Sequence, residues 1–247
     1  MNAAGIAFDR VAGTYDARWT NAPAGRLQRD AVWRVLDPLI KPGMRVLDLG
    51  CGTGEDALYL KTRGADIDAV DSSPEMVRIA REKGLPARVL AIENVERIAA
   101  QYDAVLSNFG ALNCVEDLPR LGRTLERLVR PGGYAILCLL NRMCAWETAY
   151  YAARGEWRKS VRRMRGVHQA GMGVAVYYHS AYCLRKALAP AFSLQADHGI
   201  GVAVPPSYGP ALSPRSLKWC ARFDRWAGTL LAGRTLSDHR LLVFTRN

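Results

Sequence analysis

The residues best placed for chemistry form the segment Asp48 to Gly54, DLGCGTG, which lies between the apolar run MRVLDL and a segment with helical spacing. Open α/β sheets bind nucleotides beyond the carboxyl ends of their strands, where glycines let the backbone approach a ligand. The spacing is G-x-G-x-G, and Glu55 occupies the position of the third glycine of a dinucleotide loop. An acidic residue there opposes a pyrophosphate, so the turn is a poor site for NAD or FAD.

A second candidate is Asp71, which ends the next predicted strand, IDAVD. A carboxylate at this position can accept hydrogen bonds from both hydroxyls of a ribose. The alternative is a helix-capping role shared with Ser72 and Ser73. Met76, one turn into the following helix, can pack against an adenine or simply fill the core.

The elements that position these residues alternate between strands and helices. Residues 1–40 are predicted to be helical, and strand–helix units follow over residues 41–140, with Pro131-Gly132-Gly133 leading into the strand YAILCLL. Residues 141–180 break the rhythm, with a strand candidate in GMGVAVYYHS, and residues 181–247 complete the sheet. The pattern predicts a three-layer α/β/α fold, doubly wound, with a mostly parallel seven-stranded sheet and an antiparallel edge strand. We expect a single domain over residues 1–247, with an N-terminal helical lid, a cofactor-binding core, a small cap insertion and a C-terminal part of the sheet in that order.

Composition limits the class of protein. A hydrophobic content of 49% supports one buried core, and no apolar run approaches the roughly 20 residues of a membrane span. The start MNAAGIAFDR lacks the pattern of a signal peptide. The six cysteines have no metal-ligand spacing, so we expect reduced thiols, no metal site and a cytoplasmic location.

The net charge of +11 suits an anionic partner, whether nucleic acid, a membrane surface or a small substrate. Six basic residues concentrate in one stretch: Arg154, Arg158, Lys159, Arg162, Arg163 and Arg165. The alternative is a solvated helix face.

Four segments in order, VLDLGCGTGEDALYL, VDSSPEMVRIAREKG, YDAVLSNFGALNCVEDL and LERLVRPGGYAILCLLNR, resemble the class I S-adenosylmethionine-dependent methyltransferase family. The match covers roughly residues 5–140. The resemblance implies S-adenosyl-L-methionine as cofactor and S-adenosyl-L-homocysteine as product. It implies that the methionine part is lined by Asp48, Gly50, Cys51 and Gly52, and that Asp71, Ser72 and Met76 hold the ribose and adenine.

The same resemblance places Ser107, Asn108 and Phe109 near the sulfonium and the acceptor. Where family members carry an acidic residue for the adenine amino group, this chain has Ala91-Ile92-Glu93-Asn94, so Glu93 and Asn94 are the candidates. The N-terminal AFDRVAGTYDARW resembles the helix that closes over the cofactor, and Tyr15 could contact the methionine carboxylate. The alternative for Tyr15 is packing on the sheet, which its helical spacing also predicts.

The implied function is methyl transfer to an O, N or C atom of a small-molecule acceptor. His179, which follows the predicted cap strand, is the candidate general base, whereas His239 is interpreted as structural. Two alternatives are an RNA methyltransferase and a non-catalytic, cofactor-binding scaffold protein. An Asn-Pro-Pro-Tyr type of motif is absent after the fourth strand, so nucleic acid is the less favoured partner. A monomer or a homodimer is expected.

Overall fold

The computed structural model describes residues 2–169, 173–207 and 212–247. The strands in these ranges are β1 (Arg45–Leu49), β2 (Asp66–Asp71), β3 (Ala87–Val89), β4 (Tyr102–Ser107), β5 (Val129–Leu140), β6 (Val167–Gln169), β7 (Ala175–Tyr177), β8 (Phe192–Ile200) and β9 (His239–Arg246). The α-helices are α1 (Ala3–Asp9), α2 (Ala12–Tyr15), α3 (Pro23–Leu36), α4 (Glu55–Thr62), α5 (Pro74–Glu82), α6 (Leu118–Leu128), α7 (Ala145–Ala152), α8 (Trp157–Ser160), α9 (Ala181–Leu188), α10 (Pro214–Ala227) and α11 (Leu231–Leu236). A π-helical turn spans Asp16–Thr20, and 3-10 turns span Ile92–Arg97, Ala111–Cys114 and Arg162–Arg165.

Seven strands form the main sheet in the order β3-β2-β1-β4-β5-β9-β8. The first five pair in parallel, whereas β9 is antiparallel to both β5 and β8. The predicted fold class is confirmed, and its antiparallel edge is the pair of β8 and β9. The strand order reverses between β1 and β4, which is where such sheets bind ligands.

Neighbouring residues of the central strands point to opposite faces of the sheet. Leu47 and Val105 pack in a core with Leu125 of α6, whereas Val46 packs in a second core with Val32 of α3. A strand that is apolar on both faces must be covered on both, so the helices form two outer layers.

The segment of residues 141–180 contains α7, α8 and a hairpin of β6 and β7. The predicted strand candidate covers residues 171–180, and β7 forms its central part, while Gly171 and Met172 lie outside the described residues. The boundaries of the lid, core, cap and C-terminal parts stay predictions. In the part of the chain that the structure describes, no helix is long and apolar enough to cross a membrane.

Candidate active site

The first of three connected cavities lies at the carboxyl ends of β1 and β2. It measures about 50 Å³ and its lining includes Gly50, Asp71, Ser72 and Glu93. The backbone N–H of Gly52 donates to Asp71 Oδ2 over 2.9 Å, and that of Ser73 donates to Asp71 Oδ1 over 2.9 Å. Burial raises the pKa of Asp71, and these backbone donors oppose the rise. Each carboxylate oxygen keeps a further lone pair, so Asp71 can still accept bonds from a vicinal diol.

Gly50 allows the turn after β1 to pass close to the turn after β4. Its φ is +73°, a left-handed conformation, and a Cβ there would lie 2.4 Å from the Cβ of Ala111. Any larger residue would clash, so the glycine is required by space as well as by conformation.

The N-terminal helices are tied over this cavity by side-chain contacts. Asn2 caps α1 by accepting from the N–H of Gly5 over 2.9 Å, and its Nδ2 donates to Glu93 Oε2 over 3.2 Å. Thr53 Oγ1 donates to Asp16 Oδ1 over 2.6 Å. These bonds hold the chain before α3 against the turn after β3 and against the glycine-rich turn.

The second cavity, about 30 Å³, shares Gly50 with the first and also contacts Cys51, Gly52 and Tyr15. Burial raises the pKa of the Cys51 thiol well above its usual range and also raises the pKa of the Tyr15 hydroxyl. Neither group is therefore prepared to lose a proton at neutral pH, and both serve as uncharged walls.

A buried network forms one side of the second cavity. Arg29 pairs with Asp56, whose carboxylate also accepts from Trp33 Nε1 over 2.7 Å and from Asn108 Nδ2 over 3.0 Å. These contacts fix the Arg29 guanidinium between α3 and the carboxyl end of β4.

Two buried polar atoms beside this network have no hydrogen-bond partner among the described residues, Arg29 Nε and Asp48 Oδ2. Burial, with nearby carboxylates, raises the pKa of Asp48 well above its usual range. An unpaired buried donor and acceptor are costly to keep, so they indicate a ligand that satisfies both. A zwitterionic amino acid has the matching carboxylate and ammonium.

The third cavity, about 260 Å³, adjoins the second through Tyr15, Arg29 and Phe109. Its remaining lining consists mainly of aromatic and polar side chains: Phe8, Trp19, Gly25, Gln28, Leu140, Ser207, Asp238 and His239. This size and this mixed lining suit a small organic molecule.

Asp238 and His239 form the polar end of the third cavity. His239 Nδ1 lies 3.3 Å from Asp238 Oδ2, and Arg163 Nη2 lies 2.8 Å from Asp238 Oδ1. Burial alone would raise the pKa of Asp238, but the adjacent His239 ring and the Arg163 guanidinium lower it well below its usual range. Asp238 therefore carries a stable negative charge next to the imidazole.

Phe109 separates the second cavity from the third. Its φ is +47°, which is strained for a residue with a side chain, and its N–H donates to Asn108 Oδ1 over 2.9 Å. The ring makes an edge contact with His239, with centroids 5.1 Å apart, and the Arg29 guanidinium lies 4.8 Å from the ring centroid. Backbone strain of this kind persists where the surroundings hold it and clusters at functional sites.

The structure brings together most of the predicted site residues. The lining of the three cavities includes Tyr15, Gly50, Cys51, Gly52, Asp71, Ser72, Glu93, Asn108 and Phe109. Asp48 lies in β1, two residues before Gly50. Asp48, Ser107, Met76 and Asn94 are not part of that lining. The Ser107 hydroxyl donates to the carbonyl of Leu49 over 2.8 Å and so ties β4 to β1, whereas Met76 is only 1% exposed.

The structure does not bring His179 to the third cavity. Its Nε2 lies 2.7 Å from the carbonyl oxygen of Val115, and its ring stacks on Tyr177. A carbonyl can only accept, so Nε2 carries the proton in this contact and cannot act as a base there. The described lining of the cavity also contains no residue of the predicted cap, 141–180.

The sequence analysis missed Gln28, Arg29, Ser207 and Asp238, and it interpreted His239 as structural. Arg29 had a signal, because it lies on the same helical stripe as Val32 and Leu36 and is 8% exposed. A buried arginine on an apolar stripe needs an anionic partner or ligand. The other residues come together only through the tertiary fold.

The basic stretch 154–165 is partly neutralised within the protein. Arg163 is 4% exposed and lies 2.8 Å from Glu147 as well as from Asp238. Arg162 pairs with Glu147 over 2.7 Å, and Lys159 pairs with Glu156. The stretch therefore presents fewer outward cations than its sequence indicates.

Comparison with known proteins gives matches in sequence and in fold. The methyltransferase domain family matches residues 20–190. A malonyl-acyl-carrier-protein O-methyltransferase from Serratia marcescens is 36% identical over 176 residues, covering 70% of this chain and 66% of that protein. A ubiquinone biosynthesis O-methyltransferase from Xanthomonas oryzae pathovar oryzae is 37% identical over 109 residues, covering 40% of this chain and 44% of that protein. The chain therefore spans less than two thirds of the length of these curated relatives.

Two solved structures illustrate the likeness in fold. A methyltransferase from Streptomyces caelestis superposes with a TM-score of 0.64 at 16% identity, covering 100% of this chain and 99% of that one. An S-adenosylmethionine-dependent methyltransferase from Mesorhizobium loti gives a TM-score of 0.62 at 18% identity, covering 87% and 97%. At these identities the likeness establishes the fold.

Proposed function

We infer the activity of this protein from its family: the chain belongs to the class I S-adenosylmethionine-dependent methyltransferases. The resemblance that its four sequence segments indicate is confirmed. We propose that the protein transfers a methyl group from S-adenosyl-L-methionine to a hydroxyl oxygen of a small molecule and releases S-adenosyl-L-homocysteine. The observation that carries this proposal is the lining of three adjoining cavities, whose polar groups would suit a ribose, an amino acid and an acceptor in that order.

The residues of the first two cavities fit this cofactor. When bound, S-adenosyl-L-methionine supplies an electrophilic methyl group on a sulfonium. Asp71 would accept bonds from the ribose hydroxyls, and Glu93, which lines the first cavity, would meet the adenine, whereas Asn94 is not part of that lining. Arg29 Nε and Asp48 Oδ2 lack partners in the described residues and would meet the carboxylate and the ammonium.

We assign the role of general base to His239 in place of His179. His239 Nδ1 has no hydrogen-bond partner among the described residues, and the negative charge of Asp238, whose Oδ2 lies 3.3 Å away, favours the tautomer with the proton on Nδ1. Nε2 can then accept the proton of an acceptor hydroxyl in the third cavity. Phe109, Tyr15 and Trp19 surround that position with aromatic surface and would exclude water from the transfer.

The charges around the third cavity favour a hydroxyl acceptor over a carboxylate. Arg29, the cation in its described lining, pairs with Asp56 through Nη1, and its Nε is assigned above to the carboxylate of the cofactor. A carboxylate acceptor would lie near Asp238 without an unpaired cation to offset the repulsion. Both curated relatives named above are O-methyltransferases, which supports transfer to oxygen. A malonyl group offers a carboxylate oxygen, so the choice of a hydroxyl rests on the charges around the third cavity.

We further propose a cytosolic location and action as a monomer or homodimer. The cysteines Cys51, Cys114, Cys138, Cys144, Cys183 and Cys220 are all free thiols, the state that a reducing compartment maintains. We also keep the organisation into a helical lid over residues 1–40, a core over 41–140, a cap over 141–180 and a final part of the sheet over 181–247. The bonds from Asn2 to Glu93 and from Thr53 to Asp16 support the lid.

The proposal is tested by calorimetric titration with S-adenosyl-L-methionine and S-adenosyl-L-homocysteine, with NADH and ATP as controls. We expect micromolar affinity for the first pair alone. Transfer of a labelled methyl group is then measured on a panel of phenols and alcohols, with matched carboxylic acids and amines. Labelled ethers support the proposal. Esters or methylated amines instead would contradict the hydroxyl assignment, and cofactor binding without any turnover would favour the scaffold alternative.

A further inference from the structure

The outer surface of α10 and α11 exposes large apolar side chains. Trp219 is 70% exposed, Phe223 50%, Trp226 61% and Leu231 76%. Positions 219, 223 and 226 follow helical spacing and share one face, while Leu217 and Ala227 on the other face are buried. We call the exposed residues Trp219, Phe223, Trp226, Leu230 and Leu231 the α10 patch. The rings of Phe223 and Trp226 are in edge contact, with centroids 5.7 Å apart, and exposed apolar surface of this kind marks an interaction site.

The charged residues of the segment that carries the α10 patch are almost all basic. Residues 214–236 contain five basic side chains, Arg215, Lys218, Arg222, Arg225 and Arg234. Asp224 is the one acidic residue of the segment, and it is buried, accepting from the backbone N–H of Ala203 over 2.6 Å. The exposed side of α10 therefore presents positive charge beside aromatic rings.

We propose that the α10 patch binds the surface of an anionic lipid bilayer. Trp, Phe and Leu side chains gain free energy by entering the boundary between headgroups and acyl chains, and the basic residues contact lipid phosphates. The Arg222 guanidinium lies 5.5 Å from the ring centroid of Trp219, so a cation and an interfacial aromatic are already side by side. Binding would be peripheral, on one face of the bilayer.

Two other occupants fit the α10 patch less well. In a two-fold contact with a second copy, the same surface faces itself, so the rows of arginine and lysine would be brought together. Nucleic acid would suit the basic residues and the tryptophans, but Leu230 and Leu231 would gain nothing from a phosphate backbone. Of these three occupants, a lipid surface is the one that uses both the leucines and the cations.

The α10 patch is connected to the third cavity through α10 itself. Asp224 holds the backbone of Ala203 and Val204, and this segment continues to Ser207, which lines the cavity. Gln28 Nε2 donates to the carbonyl of Pro205 over 3.3 Å. Attachment at α10 would therefore keep the acceptor cavity close to the bilayer. Binding to lipid is expected whether or not the methyl-transfer proposal holds.

The test is flotation of the full chain with vesicles of phosphatidylcholine alone and of phosphatidylcholine mixed with phosphatidylglycerol. Two variants probe the patch: Trp219→Ser with Trp226→Ser removes aromatic surface, and Arg222→Glu with Arg225→Glu reverses charge. The matched control is Trp157→Ser with Arg158→Glu, which changes an exposed tryptophan and arginine outside the patch. Thermal unfolding and affinity for S-adenosyl-L-homocysteine show whether each variant is folded.

We expect the unmodified protein and the control to float with the anionic vesicles, and each patch variant to lose at least tenfold in vesicle affinity. Failure of the unmodified protein to float with both kinds of vesicle would overturn the proposal. Patch variants that bind the anionic vesicles as tightly as the unmodified protein would also overturn it. A salt-sensitive shift of RNA without vesicle binding would assign the surface to nucleic acid. Absence of flotation, together with a concentration-dependent dimer that the patch substitutions abolish, would assign it to a second copy.

Discussion

The two ends of the joined cavities are built in different ways. The cofactor end is formed by turns that directly follow neighbouring parallel strands, and backbone groups hold its main carboxylate, Asp71. The acceptor end is formed by side chains from distant parts of the chain, including Trp19, Gln28, Ser207 and His239.

This difference indicates which residues of the site are tied to the stability of the sheet and which can be substituted without disturbing it. Moving a turn at the carboxyl end of β1 or β2 would disturb the sheet, so the cofactor end is tied to the core. The acceptor end depends on individual side chains of helices, of a connecting segment and of the start of β9. We expect substitutions there to change chemistry with little effect on cofactor affinity, and substitutions at the cofactor end to do the reverse.

The largest expected effect is at the acceptor end. His239→Ala removes the proposed base, so methyl transfer to a hydroxyl acceptor should fall by about 10²–10⁴-fold. The affinity for S-adenosyl-L-methionine, measured by calorimetry, should not change. His179→Ala is the matched control, because its Nε2 is occupied by the Val115 carbonyl, and it should retain the original rate. A normal rate in His239→Ala with a large loss in His179→Ala would identify His179 as the general base.

At the cofactor end, Asp71→Ala should weaken binding of S-adenosyl-L-homocysteine by about 100-fold, or about 3 kcal/mol, through two lost bonds to a charged acceptor. Asp66→Ala, on the same strand with a side chain 75% exposed, should bind normally. Calorimetry measures both variants. Unchanged affinity in the folded Asp71 variant would remove the ribose assignment.

The same contrast explains what sequence reasoning reached. The glycine turn and Asp71 lie where local strand–turn–helix patterns place them, so the sequence predicted the fold and the grouping of these residues at the carboxyl ends of β1 and β2; their roles toward the cofactor stay a proposal. His239 looked like the first residue of a closing strand, and nothing near it in sequence indicates that Phe109 and Trp19 line the same cavity. Met76 and Ser107 had the right positions along the chain, but their side chains fill the core and join two strands.

A smaller effect tests the close packing of the cofactor end. Gly50→Ala should lower the free energy of unfolding by about 2–3 kcal/mol, because the added Cβ meets Ala111 in a left-handed backbone. Gly52→Ala is a matched control with a positive φ and no atom within 4 Å of its Cβ, so about 1 kcal/mol is expected. Chemical denaturation measures both. Equal losses of unfolding free energy in the two variants would mean that the left-handed backbone alone, and not the contact with Ala111, requires glycine at position 50.

The smallest expected effect comes from Asp48→Asn, which should stabilise the ligand-free protein and weaken its binding of the cofactor. Folding raises the pKa of Asp48 above its ordinary value of 3.8, so the folded state disfavours the carboxylate. The contribution of Asp48 to the free energy of unfolding is therefore complete below the pKa of this group in the unfolded state. It is lost as the pH rises through the pKa of the group in the folded state. Asp48→Asn removes this loss, so the ligand-free variant should be more stable at neutral pH by about 1 kcal/mol, with little difference in acid.

The same substitution should weaken cofactor binding, because an amide cannot offer a negative charge to an ammonium. Thermal unfolding at several pH values and calorimetry measure the two effects on one variant. A stabilised protein that binds less cofactor would mean that Asp48 is kept for its ligand at the expense of the fold. A destabilised variant would show that the carboxylate is satisfied within the protein, and the ammonium would then need another partner.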